Sequence, residues 1–119
     1  MKIAVTSIDG TMEGMVDERF GRARKLILYD LNTDAAEVLE NSMQMNLVQG
    51  AGIQSAQNVV KAGARAVISG HLGPKAFYVL QAAGIEIYSA WNMTAGEAIK
   101  RYKEKTLTKL AGADVQGHW

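Results

Sequence analysis

The residues with the clearest chemical potential lie in a glycine-rich loop, Gly70-His71-Leu72-Gly73-Pro74-Lys75. Its two glycines allow the backbone to turn tightly and to approach a ligand closely. Pro74 is typical of the first turn of a helix, where free amide groups and the positive end of the helix dipole face outward, and Lys75 adds a positive charge beside them. The loop therefore predicts an anion site at a helix N-terminus; a plain strand-to-helix turn is the alternative.

A second loop, Gln49-Gly50-Ala51-Gly52, repeats this arrangement ahead of an earlier helix. Neither loop has the phosphate-binding pattern Gly-x-x-x-x-Gly-Lys-Ser/Thr or the dinucleotide-binding pattern Gly-x-Gly-x-x-Gly. The two loops thus favour an anion site but give only weak support to a nucleotide.

The densest basic run in the chain extends from Arg19 to Lys25 and includes Arg22 and Arg24. Planar guanidinium groups can hold an anion through paired hydrogen bonds. The alternative is a solvated turn in which the acids at positions 17 and 18 neutralise part of the charge. Phe20, between the arginines, is either an apolar wall of such a site or part of the core.

The chain offers few metal ligands, because it has no cysteine and only two histidines, His71 and His118. Thiolate ligands and disulfides are therefore excluded, and two distant histidines do not form a conventional zinc site. A loop histidine is more often structural than a ligand, although the glycines around His71 favour a role in binding. Met43 and Met45 carry soft thioether sulfur, but we expect them to fill gaps in the core.

Catalysis has little support in the sequence. The serines have no accompanying histidine and acid, the Gly-x-Ser-x-Gly motif is absent, and the first strand carries no carboxylate for a two-metal nuclease site. We therefore expect a protein without enzymatic activity.

Composition narrows the classes of partner. The formal net charge is +1, from 13 basic and 12 acidic residues among 119, which argues against nucleic acids and membrane surfaces. No apolar run reaches the roughly 20 residues that cross a bilayer, and no signal-peptide layout opens the chain. We expect a single cytoplasmic α/β domain over residues 1–105 and a loosely ordered tail over residues 106–119.

Hydrophobic patterning predicts which elements position these loops. Five strands are expected over residues 2–6, 25–31, 36–41, 66–69 and 85–88. Helices are expected after residue 50, at Pro74 and behind Thr94, where Glu97 completes a capping box. This order predicts an antiparallel meander followed by parallel strands with right-handed crossovers.

Ligands of open α/β sheets bind outside the carboxyl ends of the strands. The loops at residues 7–14, 42–52, 70–75 and 89–94 are therefore expected to open on one edge of the sheet.

Four segments of the chain form a recognisable set: Met1-Lys2-Ile3-Ala4-Val5, Val16-Asp17-Glu18-Arg19-Phe20-Gly21-Arg22-Ala23, Gly50-Ala51-Gly52-Ile53 and Gly70-His71-Leu72-Gly73-Pro74-Lys75-Ala76-Phe77. In this order they resemble the dinitrogenase iron–molybdenum cofactor biosynthesis family. The resemblance implies a ribonuclease H-like α/β fold, with a five-stranded mixed sheet flanked by helices. It also implies a non-enzymatic role, because members bind or carry molybdenum-containing metal–sulfur clusters.

The chain resembles most the branch of this family that holds a mixed molybdenum–copper sulfide cluster without covalent bonds. The iron–molybdenum–sulfur cofactor or its precursor is the alternative. Carriers of the nitrogenase branch often have histidine where this chain has Arg19, which weakens that alternative.

The residues and the resemblance together predict a cradle for an anionic cluster that brings its own sulfide. Arg19, Arg22 and Lys75 would neutralise its charge, and backbone amides of the glycine-rich loops would donate hydrogen bonds. His71 would donate to a sulfide. No side chain is expected to ligate a metal directly, with His71 the nearest candidate.

Apolar side chains would screen the cluster from water, with Ile8, Met43, Leu72 and Trp91 in that role. The complete predicted set is Ser7, Ile8, Arg19, Phe20, Arg22, Met43, Gly50, Ala51, Gly52, Gly70, His71, Leu72, Gly73, Pro74, Lys75 and Trp91.

Two other functions stay open at this point. The first is a phosphate- or nucleotide-type small-molecule binder that uses the same helix ends, and the second is a partner-interaction module without a cluster. A nucleotide preference in thermal-shift screening would indicate the first. Co-purification of a specific partner without colour would indicate the second. Protein partners in cluster delivery are compatible with the cradle.

Overall fold

The computed structural model describes residues 1–41 and 51–112. The strands in that part of the chain are β1 (Lys2–Ser7), β2 (Lys25–Asp30), β3 (Ala36–Glu40), β4 (Ala64–Ser69), β5 (Glu86–Ser89) and β6 (Thr108–Lys109). The helices are α1 (Ala51–Lys61), α2 (Pro74–Ala82) and α3 (Ala95–Lys103), and a 3-10 turn covers Phe20–Arg22.

The strands form one mixed sheet in the order β3-β2-β1-β4-β5-β6. β1, β2 and β3 pair antiparallel, whereas β1, β4 and β5 run parallel. Along the chain, α1 lies between β3 and β4, and α2 lies between β4 and β5. The predicted meander and parallel strands are confirmed.

The expected number of five strands is wrong, because Thr108 and Lys109 pair antiparallel with Ser89 and Tyr88. These two residues are too few to show a period in the sequence. They form a strand because the outer side of β5 offers unpaired backbone groups. This sixth strand lies in the stretch that was assigned to the tail.

Two apolar clusters lie on opposite faces of the sheet. α1 and α2 cover one face, where Leu26, Leu28 and Val67 are buried. α3 covers the other face, above Ile3 and Ile27. Adjacent strand residues point to opposite faces, so β1 and β2 are buried on both sides and supply the rigid centre of the sheet.

The helix ends follow the local signals of the sequence. Pro74 is the first residue of α2, and the Glu97 amide donates to the Thr94 hydroxyl at 3.1 Å, which confirms this half of the predicted capping box. Gly63 and Gly84, past the ends of α1 and α2, have φ of +81° and +77°, a conformation that glycine adopts without strain. Within the described residues, no helix is both long and apolar enough to span a bilayer.

Candidate functional site

Three parallel strands end at one edge of the sheet, which we call the carboxyl edge. β1 ends at Ser7, β4 at Ser69 and β5 at Ser89. Ser7 pairs with Lys25, and Lys25 with Glu40, so β2 starts and β3 ends at the same edge. The loops after β1, β4 and β5 leave on this side, and the chain beyond β3 departs from it too.

Residues 15–20, which we call the arginine segment, lie across these loops. The backbone of the segment bonds to Met93 in the loop after β5, to Thr6 near the end of β1 and to His71 in the loop after β4, at N–O distances of 2.7 to 3.1 Å. Arg19 and His71 form a parallel bridge. The segment thereby brings Arg19 to the carboxyl edge, beside a residue that is distant in sequence.

The close approach of the arginine segment depends on Gly70. A Cβ atom at Gly70 would lie 2.5 Å from the Glu18 Cα and 2.9 Å from the Glu18 carbonyl oxygen. The Thr6 hydroxyl supports the segment from the sheet, since it donates to the Asp17 carbonyl at 2.9 Å and lies 2.9 Å from the Ser69 Oγ. The space beside Gly70 is therefore filled by the protein's own backbone rather than open to a ligand.

A cavity of about 400 Å³ opens at the carboxyl edge. It is lined by residues 15–19 of the arginine segment, by Ile8 after β1, by Arg24 before β2 and by Asn92 after β5. The side chains of Ile8 and Met15 are 50% and 40% exposed, so the cavity has an apolar part. Its volume falls within the roughly 300–1,000 Å³ typical of small-molecule sites.

The charged side chains that line the cavity are Arg19, Arg24, Asp17 and Glu18. Their formal charges sum to zero when all four are ionised. Asp17 is only 7% exposed. Burial raises the pKa of its carboxyl, and the bond that its Oδ1 accepts from the Arg19 amide at 3.0 Å partly opposes this effect. An anion in the cavity would favour protonated Asp17. The lining would then carry a net positive charge.

His71 and Trp91 form an aromatic pair beside the cavity. Their ring centroids are 3.9 Å apart at an interplanar angle of 87°, an edge-to-face arrangement. The Trp91 indole N–H donates to the Ser89 Oγ at 2.8 Å, and the Ser89 hydroxyl donates to the Gly70 carbonyl at 3.2 Å. Trp91 is still 47% exposed, and Asn92, the next residue, lines the cavity. Two predicted site residues are thus in contact at the carboxyl edge.

The first turn of α3 is occupied by the protein itself. The amides of Ala95 and Gly96 donate at 2.9 Å to carbonyls of Gly14 and Met12 in the loop after β1. With the bond to Thr94, the first amides of α3 are satisfied, so this helix end offers no anion site.

The first turn of α2 is open. Gly73 caps the helix without a side-chain bond, and Pro74 has no N–H to donate. Within residues 1–41 and 51–112, the amides of Lys75 and Ala76 have no hydrogen-bond partner. Lys75 is exposed. As far as the described residues show, this end therefore has both free donors and a positive charge for an anion.

Several predicted site residues lie inside the protein. Ser7 and Phe20 are 0% exposed, Leu72 is 1% exposed, and Gly73 is buried. Phe20 and Leu72 pack in the cluster that faces α1 and α2, so Phe20 belongs to the core and Leu72 supports its loop from below. The Ser7 hydroxyl accepts the Gly10 amide at 2.7 Å. None of these four lines the cavity.

A buried amide network, which sequence reasoning missed, holds the 3-10 turn that carries half-buried Arg22. Asn41 is 1% exposed; its Nδ2 donates to the Ala23 carbonyl at 2.9 Å and to the Ser55 Oγ at 3.0 Å. Asn58 donates to the Asn41 Oδ1 at 2.8 Å. The network joins the end of β3, the turn and α1. Its signal in the sequence, an asparagine directly after a strand, does not differ from an ordinary turn residue.

Met15, Arg24 and Asn92 line the cavity and were not among the predicted site residues. Asn92 has a positive φ of +51°.

The remaining predicted residues lie at the start of α1 or outside the described residues. Ala51 and Gly52 begin α1. Met43 and Gly50 lie outside the described residues, as do Met45 and His118. In the described part of the chain, no three His, Asp or Glu side chains come together in a way that could hold a metal ion.

Comparison with known proteins gives matches over nearly the whole chain. The family model described as dinitrogenase iron-molybdenum cofactor matches residues 1–105. The arginine segment and the loops that surround it lie inside this match.

Solved structures with the same fold include the apo form of the orange protein from Desulfovibrio gigas. It has a TM-score of 0.93 and 39% identity, and the match covers 96% of each chain. A DUF35-family protein from Thermotoga has a TM-score of 0.85 and 32% identity over 98% of each chain. An uncharacterized protein of Methanocaldococcus jannaschii is 32% identical over 113 residues, or 92% of each chain.

Proposed function

The chain belongs to the dinitrogenase iron-molybdenum cofactor family, and from this premise we propose that it binds an anionic metal–sulfide cluster at the carboxyl edge. The cluster would be cargo, held without covalent bonds and released unchanged, so the protein acts as a carrier and not as an enzyme. The observation that carries the proposal is the cavity of about 400 Å³, which is lined both by two arginines and by the exposed apolar side chains of Ile8 and Met15.

The donor set of the site fits a cluster that supplies its own sulfur. The sequence has no cysteine, and the described residues contain no group of three metal-ligating side chains. Guanidinium groups are weakly hydrated cations that can donate several hydrogen bonds to bridging or terminal sulfides. The apolar surfaces of Ile8 and Met15 suit the large, polarisable body of such an anion.

The charge of the cavity lining can adjust to an anion. Burial disfavours the charged form of Asp17, and if a bound anion induced its protonation, Arg19 and Arg24 would be opposed by Glu18 alone. Lys75 and the open amides at the start of α2 add positive potential at the same edge. These groups would hold the cluster together with the His71–Trp91 pair.

We favour a molybdenum–copper sulfide cluster as the cargo. The relative with 39% identity is named for its colour, and its solved form is an apo form, which together indicate a removable coloured group. Arg19, in place of the histidine of the nitrogenase branch, supports this choice over the iron–molybdenum–sulfur cofactor or its precursor.

The decisive experiment mixes metal-free protein with tetrathiomolybdate and a copper salt, followed by desalting. We expect retained molybdenum and copper, measured by elemental analysis, and a new visible absorption. Tetrathiomolybdate alone and copper alone are the controls. A protein that emerges colourless and metal-free would contradict the proposal.

A phosphate-type small molecule is the second candidate, and the open amides at Lys75 and Ala76 favour it. Phosphate or a nucleotide should then raise the midpoint of thermal unfolding, and Lys75→Ala should abolish this rise.

A partner-interaction module would bind a specific protein in the absence of any cluster. The domain limit at residue 105, the ribonuclease H-like fold and the cytoplasmic location stay predictions.

A further inference from the structure

We propose that the protein has a second ligand site, for a small aromatic anion, at the edge of the sheet opposite the cluster site. The site is a cavity of about 820 Å³, roughly twice the volume of the cavity at the carboxyl edge. It lies between the C-terminal end of α3, the turn that follows α3, and the β5–β6 pair. The proposal does not rest on cluster binding.

The position of this cavity separates it from the carboxyl edge. Leu31, which follows β2, lines it, and the Leu31 amide donates to the Met1 carbonyl at 2.9 Å, ahead of the first residue of β1. Glu86, the first residue of β5, also lines it. The cavity therefore opens where the parallel strands begin.

The walls of the cavity are aromatic and apolar. The rings of Tyr88 and Tyr102 stand edge-to-face, with centroids 5.2 Å apart at an interplanar angle of 89°. Leu31 and Leu107 are partly buried and pack against the apolar core residues between α3 and the sheet. Burial and the bond with Glu86 raise the pKa of Tyr88 to about 12, so the phenol stays neutral. A flat ring in the cavity would find both aromatic and aliphatic side chains in the lining.

The charged groups of the cavity leave one cation in excess. Asp34 accepts from the Lys103 ammonium at 3.1 Å, and Glu86 accepts from the Lys109 ammonium at 3.3 Å. Lys105 also lines the cavity, and in the described part of the chain it has no acidic partner. An occupant with one negative charge would neutralise it.

The backbone at Lys105 is strained, and this supports a role for its side chain. α3 ends in a Schellman motif: the Lys105 amide donates to Tyr102 and the Thr106 amide to Arg101, both at 3.0 Å. Lys105 occupies the left-handed position of this motif with φ of +61°, where glycine is the usual residue. A lysine there lowers stability relative to glycine. Residues in sparsely populated backbone regions cluster at active sites and ligand-binding positions, although the Schellman motif by itself also requires a residue in this conformation.

Size, walls and charge together select the class of ligand. The cavity has room for one or two fused rings, and its volume is within the range of small-molecule sites. A single uncompensated ammonium selects one carboxylate or sulfonate rather than a polyphosphate. We therefore expect an aryl carboxylate or a ligand of equivalent chemistry.

The test uses 8-anilinonaphthalene-1-sulfonate as probe and N-phenyl-1-naphthylamine, the same ring system without the sulfonate, as its neutral control. The full-length protein should bind the sulfonate saturably with one-to-one stoichiometry and about tenfold more tightly than the amine. Lys105→Gln should remove this preference. Lys105→Gly should remove it too, while raising the midpoint of thermal unfolding because the strain is relieved.

Two control variants make the result specific. Lys61→Ala, on α1, should bind the sulfonate like the wild type, and so should Arg19→Ala, at the carboxyl edge. Equal affinity for the two probes, or an unchanged preference in Lys105→Gln, would overturn the proposal. Loss of sulfonate binding in Arg19→Ala would also overturn it, since the probe would then lie at the carboxyl edge.

Discussion

Replacing Gly70 by alanine tests whether close backbone packing positions the arginine segment. The new Cβ would lie 2.5 Å from the Glu18 Cα, about 0.9 Å inside the 3.4 Å at which ordinary contact begins. If the segment withdraws by that distance, the 2.7 Å bond from the His71 amide to the Glu18 carbonyl lengthens to about 3.6 Å and is lost.

The energetic effect follows from this displacement. Overpacking costs about 1–3 kcal/mol and the lost hydrogen bond about 1 kcal/mol. We therefore expect Gly70→Ala to lower the free energy of unfolding by about 2–4 kcal/mol, or the thermal midpoint by on the order of 10 °C. A domain of ordinary stability stays folded after such a loss.

Urea unfolding followed by circular dichroism measures the stability of Gly70→Ala, and retained molybdenum and copper after desalting measure its binding. Gly112→Ala is the matched control, because its added Cβ meets no described atom within 4 Å. We expect the control to behave like the wild type. Wild-type stability of Gly70→Ala would refute the packing argument. Reduced stability with full metal retention would refute the link between the segment's position and binding.

Three further substitutions test separate parts of the site and the fold. Arg19→Ala should weaken cluster retention about tenfold, since a charge-assisted contact is lost; Arg65→Ala on β4 is the control, and equal retention in both would remove Arg19 from the site. Asp17→Asn should raise the free energy of unfolding at pH 7, because burial raises the pKa of the Asp17 carboxyl above its ordinary value of 3.8. Ionisation of Asp17 therefore lowers stability as pH rises through the folded-state pKa. In urea titrations the difference should vanish near pH 3, and a difference that is independent of pH would contradict the assignment. Thr94→Ala should lower the free energy of unfolding by about 1 kcal/mol, because the helix cap is lost, and Thr94→Ser should keep the wild-type value in the same assay. An unchanged free energy in Thr94→Ala would mean that the backbone bonds from Ala95 and Gly96 to the loop after β1 stabilise this helix end without the cap.

The fold could be predicted wherever a signal was local. Pro74 and Thr94 indicated the starts of α2 and α3, because caps depend on residues within one turn. The runs of alternating or continuous apolar residues indicated the first five strands. The β6 strand could not be predicted, since Thr108 and Lys109 form it only through contact with β5.

The edge of the sheet at which the predicted loops meet could be predicted from the strand order, but the contacts between their residues could not. Arg19 was expected to neutralise an anion, yet its alignment with His71 depends on backbone bonds between distant segments. Gly70 was assigned to the approach of a ligand, and the structure shows that it accommodates Glu18 instead. Met15 had no signal in the sequence, because its place at the cavity depends on two antiparallel bridges between distant segments, Met15 with Thr94 and Val16 with Ser7.

The backbone hydrogen bonds that hold the arginine segment in place determine which parts of the cavity can be substituted. Main-chain atoms make the bonds that hold residues 15–20 against the loops after β4 and β5, and these bonds require glycine at position 70 but use no side chain of the cavity lining as donor or acceptor. Ile8, Met15 and Asn92 project from this framework into the cavity. The lining side chains can therefore be substituted while the backbone that carries them keeps its position, so under the proposed function a few substitutions would adapt the cavity to anions of different size.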